Sequence, residues 1–563
     1  LQQAEEARIA AIEQASKSFV AVFAQEGNGG GSGVVISEDG FALTNFHVAK
    51  PAGIHMKCGM NDGRLYDAVL VGLDPTGDIA LIKLLGRDNF VPARLANSDA
   101  VRTGDWCFAV GNPFLLATDL QPTVTYGIVS GVHRCQYPAG TLLEYTDAIQ
   151  TDASINPGNS GGPLFNAGGE LIGIVGSGSF DKRGRVNVGV GYAISINQVK
   201  NFLGCLRGGR LVDHATLGAT VATNDKGRVY VNDLLETSDA YRRGLRYNDE
   251  IIAFGGRTIT SANGFKSVLG TFPKGWVVPL TYRRQGKDTT VQVRLAGLLT
   301  EEQLNEKATK AFGEEGHPPP KAKPEEQAPP DKQPREKPPV TDKSKPSTPL
   351  PAEVAKLLEM RPGFANYYFN RLERERVWKK LKSTVAKPVS GNWLVQGEVA
   401  TGGKFEMQLR DAVSEGKFPT GHVKVENAKD YDQQLVPPSS GGLLTALHLW
   451  RLLLLQGTET FGEVNYCGTR PIQLGEPEHD VLVATRNVAQ LNVLVDQQSG
   501  LPRRVELFVD EELDPCELHF VDWEEQAGTF TPKRIEVWYA GKLFATLGTI
   551  SSENLDKKQE PQP

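Results

Sequence analysis

The sequence predicts a mainly β protein made of several domains, and three observations carry that expectation. From Gly31 to about Leu206, short runs of β-branched and aromatic residues alternate with Gly, Pro, Asn and Asp turns, the signature of a pair of antiparallel barrels. From Val481 to Ile550, longer runs alternate apolar and polar residues and are joined by short turns, which reads as an antiparallel meander. At 563 residues the chain also exceeds what one core holds, so three or more domains are expected.

The first element is a helix over 1–18, where good helix formers carry apolar residues at helical spacing. Phe19–Ala24 follows as the first strand. The stretch Thr151–Leu164, TDASINPGNSGGPL, then constrains function most tightly. Ser160 stands between Gly158-Asn159 and Gly161-Gly162, a setting that suits neither helix nor strand. Glycines there let the chain turn sharply and leave amides exposed, as an oxyanion site requires. Ser160 is the candidate nucleophile, and the backbone of Gly158, Asn159 and Ser160 is the candidate oxyanion hole.

A serine hydroxyl attacks only when a base takes its proton, and the base needs a carboxylate to orient it. His47 closes the apolar run GSGVVISEDGFALTNFHV, and Asp78 opens another in LDPTGDIALIKL. The order His, Asp, Ser is that of chymotrypsin-like enzymes. Singly, each residue has a plainer use: a packed histidine, a turn aspartate, a Gly-rich hairpin. Together they point to acyl transfer.

GSGVVIS, TNFHV, DPTGDIALIK, GNPF, TVTYGIVS and IQTDASINPGNSGGPL jointly resemble the HtrA/DegP family of serine proteases. The resemblance is dense from Phe19 to Leu206 and looser to about Leu298. It implies a chymotrypsin-like double β-barrel over 19–208 with the triad His47, Asp78 and Ser160. It implies action outside the cytoplasm, periplasmic or secreted after signal-peptide removal, on unfolded or damaged proteins. It also implies homo-oligomers, trimers or larger, for which Phe19 and Phe23 are contact candidates beside a simple core role. Ile155, Val175 and Ser177 would line the S1 pocket. With no aspartate at its base, that pocket would favour small or medium aliphatic residues. Where the family often carries glycine after GNP, this chain has Phe114 and Leu115, which leaves the loop conformation open.

Residues 211–298 resemble the PDZ domain that follows the protease in this family. Gly244-Leu245 and Asn248-Asp249-Glu250-Ile251-Ile252 match its A-G-L…G-D-x-I pattern, with Asn248 in place of Gly. Such a domain captures an apolar C-terminus by strand addition while backbone amides hold the carboxylate. The loop would be Leu217, Gly218, Ala219 and Thr220, with Phe265 and Leu269 facing the groove from a helix. A β domain without a ligand is the alternative.

Residues 299–350 shift to Pro, Lys, Glu, Gln and Ser, a composition that cannot bury a core and reads as a disordered tether. After it, 351–553 is expected to be an α+β domain with an antiparallel sheet and a core of its own. Val354–Leu381 reads as a charged helix. Gly441–Gly457 reads as an apolar helix too short to span a membrane and better buried against a sheet. The strands loosely resemble the half-barrel of LolA-like lipoprotein carriers. No catalytic constellation occurs there, and a packing or partner-binding role outweighs a lipid cavity.

The net charge of −6 with scattered Lys and Arg gives no basic field for nucleic acid. No transmembrane span is encoded, and membrane association without one stays open. Leu1 at the start fits a removed signal peptide or a trimmed chain. The six cysteines have neither CxxC pairs nor histidines at ligand spacing, so they read as structural and no metal is assigned. No nucleotide motif or cofactor site is present. The expected function is an ATP-independent serine endopeptidase of extracytoplasmic protein quality control. The alternative is a chaperone or carrier that uses the protease fold to hold clients.

Overall fold

A computed structural model gives the architecture, and it describes residues 2–23, 30–113, 119–136, 145–180, 187–312, 350–386, 391–427 and 430–551. Helix α1 (Gln2–Ser16) leads into the first of two closed barrels. That barrel comprises β1 (Phe19–Phe23), β2 (Gly30–Val35), β3 (Phe41–Thr44), β4 (His55–Met60), β5 (Leu65–Asp74) and β6 (Ile79–Leu84), ordered β1-β2-β3-β6-β5-β4, with α2 (Phe46–Ala52) set between β3 and β4. The second comprises β7 (Trp106–Gly111), β8 (Thr123–Gln136), β9 (Tyr145–Thr151), β10 (Pro163–Asn166), β11 (Leu171–Phe180) and β12 (Asn187–Ser195), ordered β10-β11-β12-β9-β8-β7. Closure leaves neither sheet a free edge.

Helix α3 (Ile196–Arg207) buries Val199, Phe202 and Leu206 in a core shared by the two barrels. Phe19 is fully buried in that core, and Phe23 packs half-buried against it.

The unit that follows has a sheet running Ala219–Thr223, Val229–Leu234, Glu250–Phe254, Val277–Arg284 and Lys287–Arg294 in that order, with Arg257–Thr258 paired to the middle strand. Helices α4 (Asp239–Arg242) and α5 (Ala262–Leu269) cover it, each started by a serine whose side chain accepts a backbone amide. Where composition predicts the start of the tether, the chain is helical: α6 spans Glu301–Phe312, with acidic residues in its first turn. Residues 313–349, most of the predicted tether, lie outside the described residues.

The predicted helix over 354–381 is two helices, α7 (Ala352–Ala355) and α8 (Tyr367–Thr384). Pro362 lacks an amide, and Gly363 at φ +83° turns the chain left-handed between them. This segment is not separate from the barrels. Val354 and Phe369 belong to the barrel core, with the Phe369 ring 6.1 Å from Phe41. Asn366 Nδ2 donates to Leu70 O at 2.9 Å, and Ala365 N donates to Gly209 O at 2.9 Å.

Beyond it stands an eleven-stranded antiparallel sheet. Four strands, from Trp393–Val399 to Gly421–Glu426, run outward to one edge. After α9 (Leu443–Gln456), seven more run inward from Glu463–Pro471 until Lys542–Ser551 pairs with Trp393–Val399. The apolar helix read from the sequence is α9, bounded by Gly442 at φ +94° and Gly457 at φ +82° and buried against the sheet. The sheet docks on both units before it. Asn370 Nδ2 bridges Gly208 O and Tyr466 O at 2.8 and 2.7 Å, and Arg294 meets Glu506 at 3.0 Å and Glu517 at 3.2 Å. Arg470 bonds both Glu506 and Gly275 O, and Arg243 pairs with Asp514. The composition break near residue 350 is therefore not a packing boundary. All six cysteines are free thiols.

Candidate active site

The N-terminus of α2 and the turn before β6 bring two of the three predicted catalytic residues together. His47 Nδ1 lies 2.8 Å from Asp78 Oδ2 and 3.0 Å from Oδ1, and the His47 amide donates to Oδ1 at 3.0 Å. Asp78 is fully buried and holds φ at +58°, costly for a residue with a side chain. Its carbonyl is pinned by Asn45 Nδ2 at 2.9 Å and the Phe46 amide at 3.2 Å. Tyr145 from β9 donates its hydroxyl to Asp78 Oδ2 at 2.8 Å. Desolvation resists protonation of His47, but the charge and the hydrogen bond of Asp78 together outweigh it and hold the imidazole above its ordinary range.

Ser160 lies on the turn between β9 and β10. Its hydroxyl donates to Gly176 O at 3.0 Å, so in this arrangement its proton is not directed at His47. Attack requires rotation of that side chain. Gly158 takes φ +103°, and its carbonyl accepts from Ser32 Oγ at 2.7 Å. Ser32 also donates its amide to Ser160 O at 2.8 Å, and Ser32 Oγ accepts the Asn112 amide at 3.1 Å. The nucleophile turn is thus fastened to the first barrel by Ser32. The Asn159 amide is spent on Asn156 O at 3.0 Å, which removes Asn159 from the predicted oxyanion hole and leaves Gly158 and Ser160 as its candidates.

Ile155 and Val175 are buried together in the second barrel's core, and a side chain at Gly191 would strike Ile155. Val175 also exchanges backbone hydrogen bonds with Gly161 and Gly162, next to Ser160. Ser177 pairs with Tyr192 through its backbone in β11, while its side chain lies outside the described residues, as do Phe114 and Leu115.

In the following unit, Ala219–Thr223 is an edge strand with α5 alongside, the Ala262 amide donating to Thr223 Oγ1 at 2.9 Å. Gly218 has φ +70°, and a Cβ there would sit 2.6 Å from that of Ser238. Leu217 is core, Ala219 is half-buried and Thr220 exposed, while Leu269 packs half-buried on the core. Phe265 corrects the sequence expectation: it is 2% exposed and packs in a tilted contact 5.0 Å from the Phe254 ring, so it braces the helix from inside instead of facing a ligand. Arg257 reaches across to β9, bonding Asp147 Oδ1 at 2.6 Å, and the Asp147 amide donates to Ser267 Oγ at 2.9 Å. Tyr145 and Asp147 belong to no quoted motif, and Ser32 lies inside GSGVVIS without its role being legible there; only the folded barrel shows their use. Among the described residues no cluster could hold a metal ion.

Residues 31–174 match the trypsin-like peptidase domain model and residues 215–295 the PDZ domain model. The periplasmic serine endoprotease DegP of Escherichia coli K12 is 38% identical over 292 residues, 48% of this chain and 60% of its own length. The Salmonella typhimurium DegP is 38% identical over 290 residues, 48% of this chain and 59% of its own. The protease–PDZ part of this chain is similar to the HtrA/DegP family. A probable DegP-like endoprotease of Chlamydia trachomatis is 36% identical over 289 residues, 48% of this chain and 55% of its own length. The chain thus spans little more than half of these HtrA/DegP relatives. A solved HtrA-type protease, AlgW with a tripeptide, aligns over 52% of this chain and 98% of its own at 29% identity and a TM-score of 0.43.

Proposed function

We propose that this protein is an ATP-independent serine endopeptidase of extracytoplasmic protein quality control. The observation that carries the reading is the pairing of His47 with the buried Asp78 beside the Gly158–Ser160 turn. Ser160 Oγ leaves Gly176 O, turns to His47 Nε2 and gives up its proton as it attacks the scissile carbonyl. The imidazolium is stabilised by Asp78, whose geometry Tyr145 and the His47 amide fix. The amides of Gly158 and Ser160 receive the oxyanion. Substrates are unfolded or misfolded chains, in keeping with the family, and the subunits act as homo-oligomers. The PDZ edge strand beside α5 takes an extended peptide with a free apolar C-terminus.

A fluorophosphonate probe tests the first claim: it should label Ser160 and block casein cleavage, and labelling elsewhere with cleavage intact would refute it. Calorimetry with free-acid and amidated forms of one apolar peptide tests the second. Equal affinities would remove carboxylate capture.

A further inference from the structure

The turn that presents Asp78 is itself held by a buried ion pair that the triad does not include. Asp74, at the end of β5, accepts the amides of Thr76 at 3.1 Å and Gly77 at 2.7 Å through Oδ1, closing the DPTGD turn on its own first residue. Both carboxylate oxygens also face His214 Nε2, at 2.8 and 2.9 Å. The other ring nitrogen, Nδ1, stands 3.0 Å from the carbonyl oxygen of Gly270, the residue that ends α5. Asp74 is 1% exposed and His214 4%.

A carbonyl oxygen only accepts, and an ionised carboxylate only accepts. Both nitrogens of His214 must therefore carry hydrogen in this geometry, which makes the ring an imidazolium. Its surroundings leave little slack. The ring stacks on Phe202 of α3 with centroids 4.4 Å apart, and a Cβ on Gly77 would come within 3.0 Å of Nε2. The ionisable groups around it are Asp74 from β5, Asp213 beside it in the chain, Lys274 acting on Asp213 from the PDZ unit, and the Cys205 thiol of α3 near Asp74.

We propose that His214, donating at once to Asp74 and to Gly270 O, is a positioning residue for catalysis that locks the Asp74–Gly77 turn and ties it to α5 of the PDZ domain. The inference rests on the triad reading above. Burial disfavours the charged ring, but the Asp74 charge and hydrogen bond, followed by Asp213 and Gly270 O, raise its pKa above the ordinary histidine value. For a group raised in this way, the stabilisation is complete below about pH 6.5, the unfolded value, and is lost as pH climbs through the folded value. His47 has the opposite requirement, since the base must be neutral. Activity is therefore bounded on the acid side by His47 and on the alkaline side by loss of the His214 bridge.

The test uses the full-length chain with ¹⁵N-labelled histidine and a peptide substrate, with the His214 signals assigned by their loss in His214→Gln. In the wild type, both ring nitrogens should be protonated at pH 6, and protection of the Thr76 and Gly77 amides from exchange should fall as the ring deprotonates. In His214→Gln, kcat should fall about tenfold with KM within twofold, and the alkaline limb of the kcat/KM profile should disappear. A neutral His214 ring from pH 5 to 8 would overturn the proposal even if the variant failed to fold. So would a His214→Gln pH profile that superimposes on that of the wild type. Failure of the protease reading is recognised separately, because Ser160 would then take no fluorophosphonate while the histidine signals are unaffected.

Discussion

Asp78 and Arg451 are both fully withdrawn from water, and the molecule treats them in opposite ways. Around the Asp78 carboxylate stand three donors: the His47 amide, the His47 ring and the Tyr145 hydroxyl. Arg451, in α9, has one carboxylate, Asp411 at 2.7 Å on an exposed loop, while its Nε and Nη1 have no partner. Thr445 and His448 on the same helix also carry unpartnered buried atoms. Burial, then Arg451 and Arg486, pull His448 down to about 3, so it is neutral in ordinary solution. One buried charge, the one the proposed mechanism uses, has its acceptors saturated and its backbone strained to suit. The other comes with a helix that is sealed in by apolar packing and tied once to the surface. Saturation, more than burial, separates a working charge from a tolerated one.

That contrast can be broken at either end. The largest effect is expected from Ser160→Ala, which should lower kcat on the order of 10⁶-fold without moving the melting temperature. Asp78→Asn should follow, with a loss of about 10⁴-fold, because the imidazole then settles in the wrong tautomer. Steady-state assays on an unfolded substrate check both, and near-native turnover by either variant would place the activity elsewhere.

Tyr145→Phe removes one hydrogen bond to an ionised carboxylate and should cost about tenfold in kcat/KM. At the other end, Arg451→Met should leave stability unchanged or raise it by about 1–4 kcal/mol, as expected when an imperfectly met buried charge is replaced by an apolar side chain. Denaturant titration measures this, and a marked destabilisation would show that the unpartnered guanidinium nitrogens do have acceptors. The smallest expected effect is in pH. Because Asp78 raises the His47 pKa, activity should begin to fall with decreasing pH at a value above 6.5, the ordinary midpoint.

The same contrast explains what was readable from the sequence. His47, Asp78 and Ser160 sit in motifs because their neighbours must form particular turns, and GNSGG and DPTGD encode those turns locally. The helix α9 was readable for a similar reason, being an apolar run bounded by glycines at both ends. Tyr145 and His214 were not, because each acts on a partner more than sixty residues away and nothing in its own neighbourhood requires it; the motif GSGVVIS contains Ser32 but does not show its own distant partner, Gly158. Phe265 was misplaced because helical spacing marks an apolar face without saying whether a core or a ligand lies against it. Composition likewise marked the change near residue 300 correctly as chemistry but not as packing. Residues just beyond 350 return to the barrel, and the sheet that follows is joined to both earlier units, through Asn370 between Gly208 and Tyr466 and through Arg294–Glu506.

That return of the chain has a consequence for synthesis. The ribosome delivers the two barrels first, but Val354 and Phe369, which complete their shared core, emerge roughly 160 residues after α3 ends. At 5–20 residues per second that interval is on the order of ten to thirty seconds. During it the nascent barrel pair has its triad sequence in full yet an uncovered apolar seam beside Phe41. The order of translation therefore delays completion of the protease core until the first residues of the C-terminal region have been made.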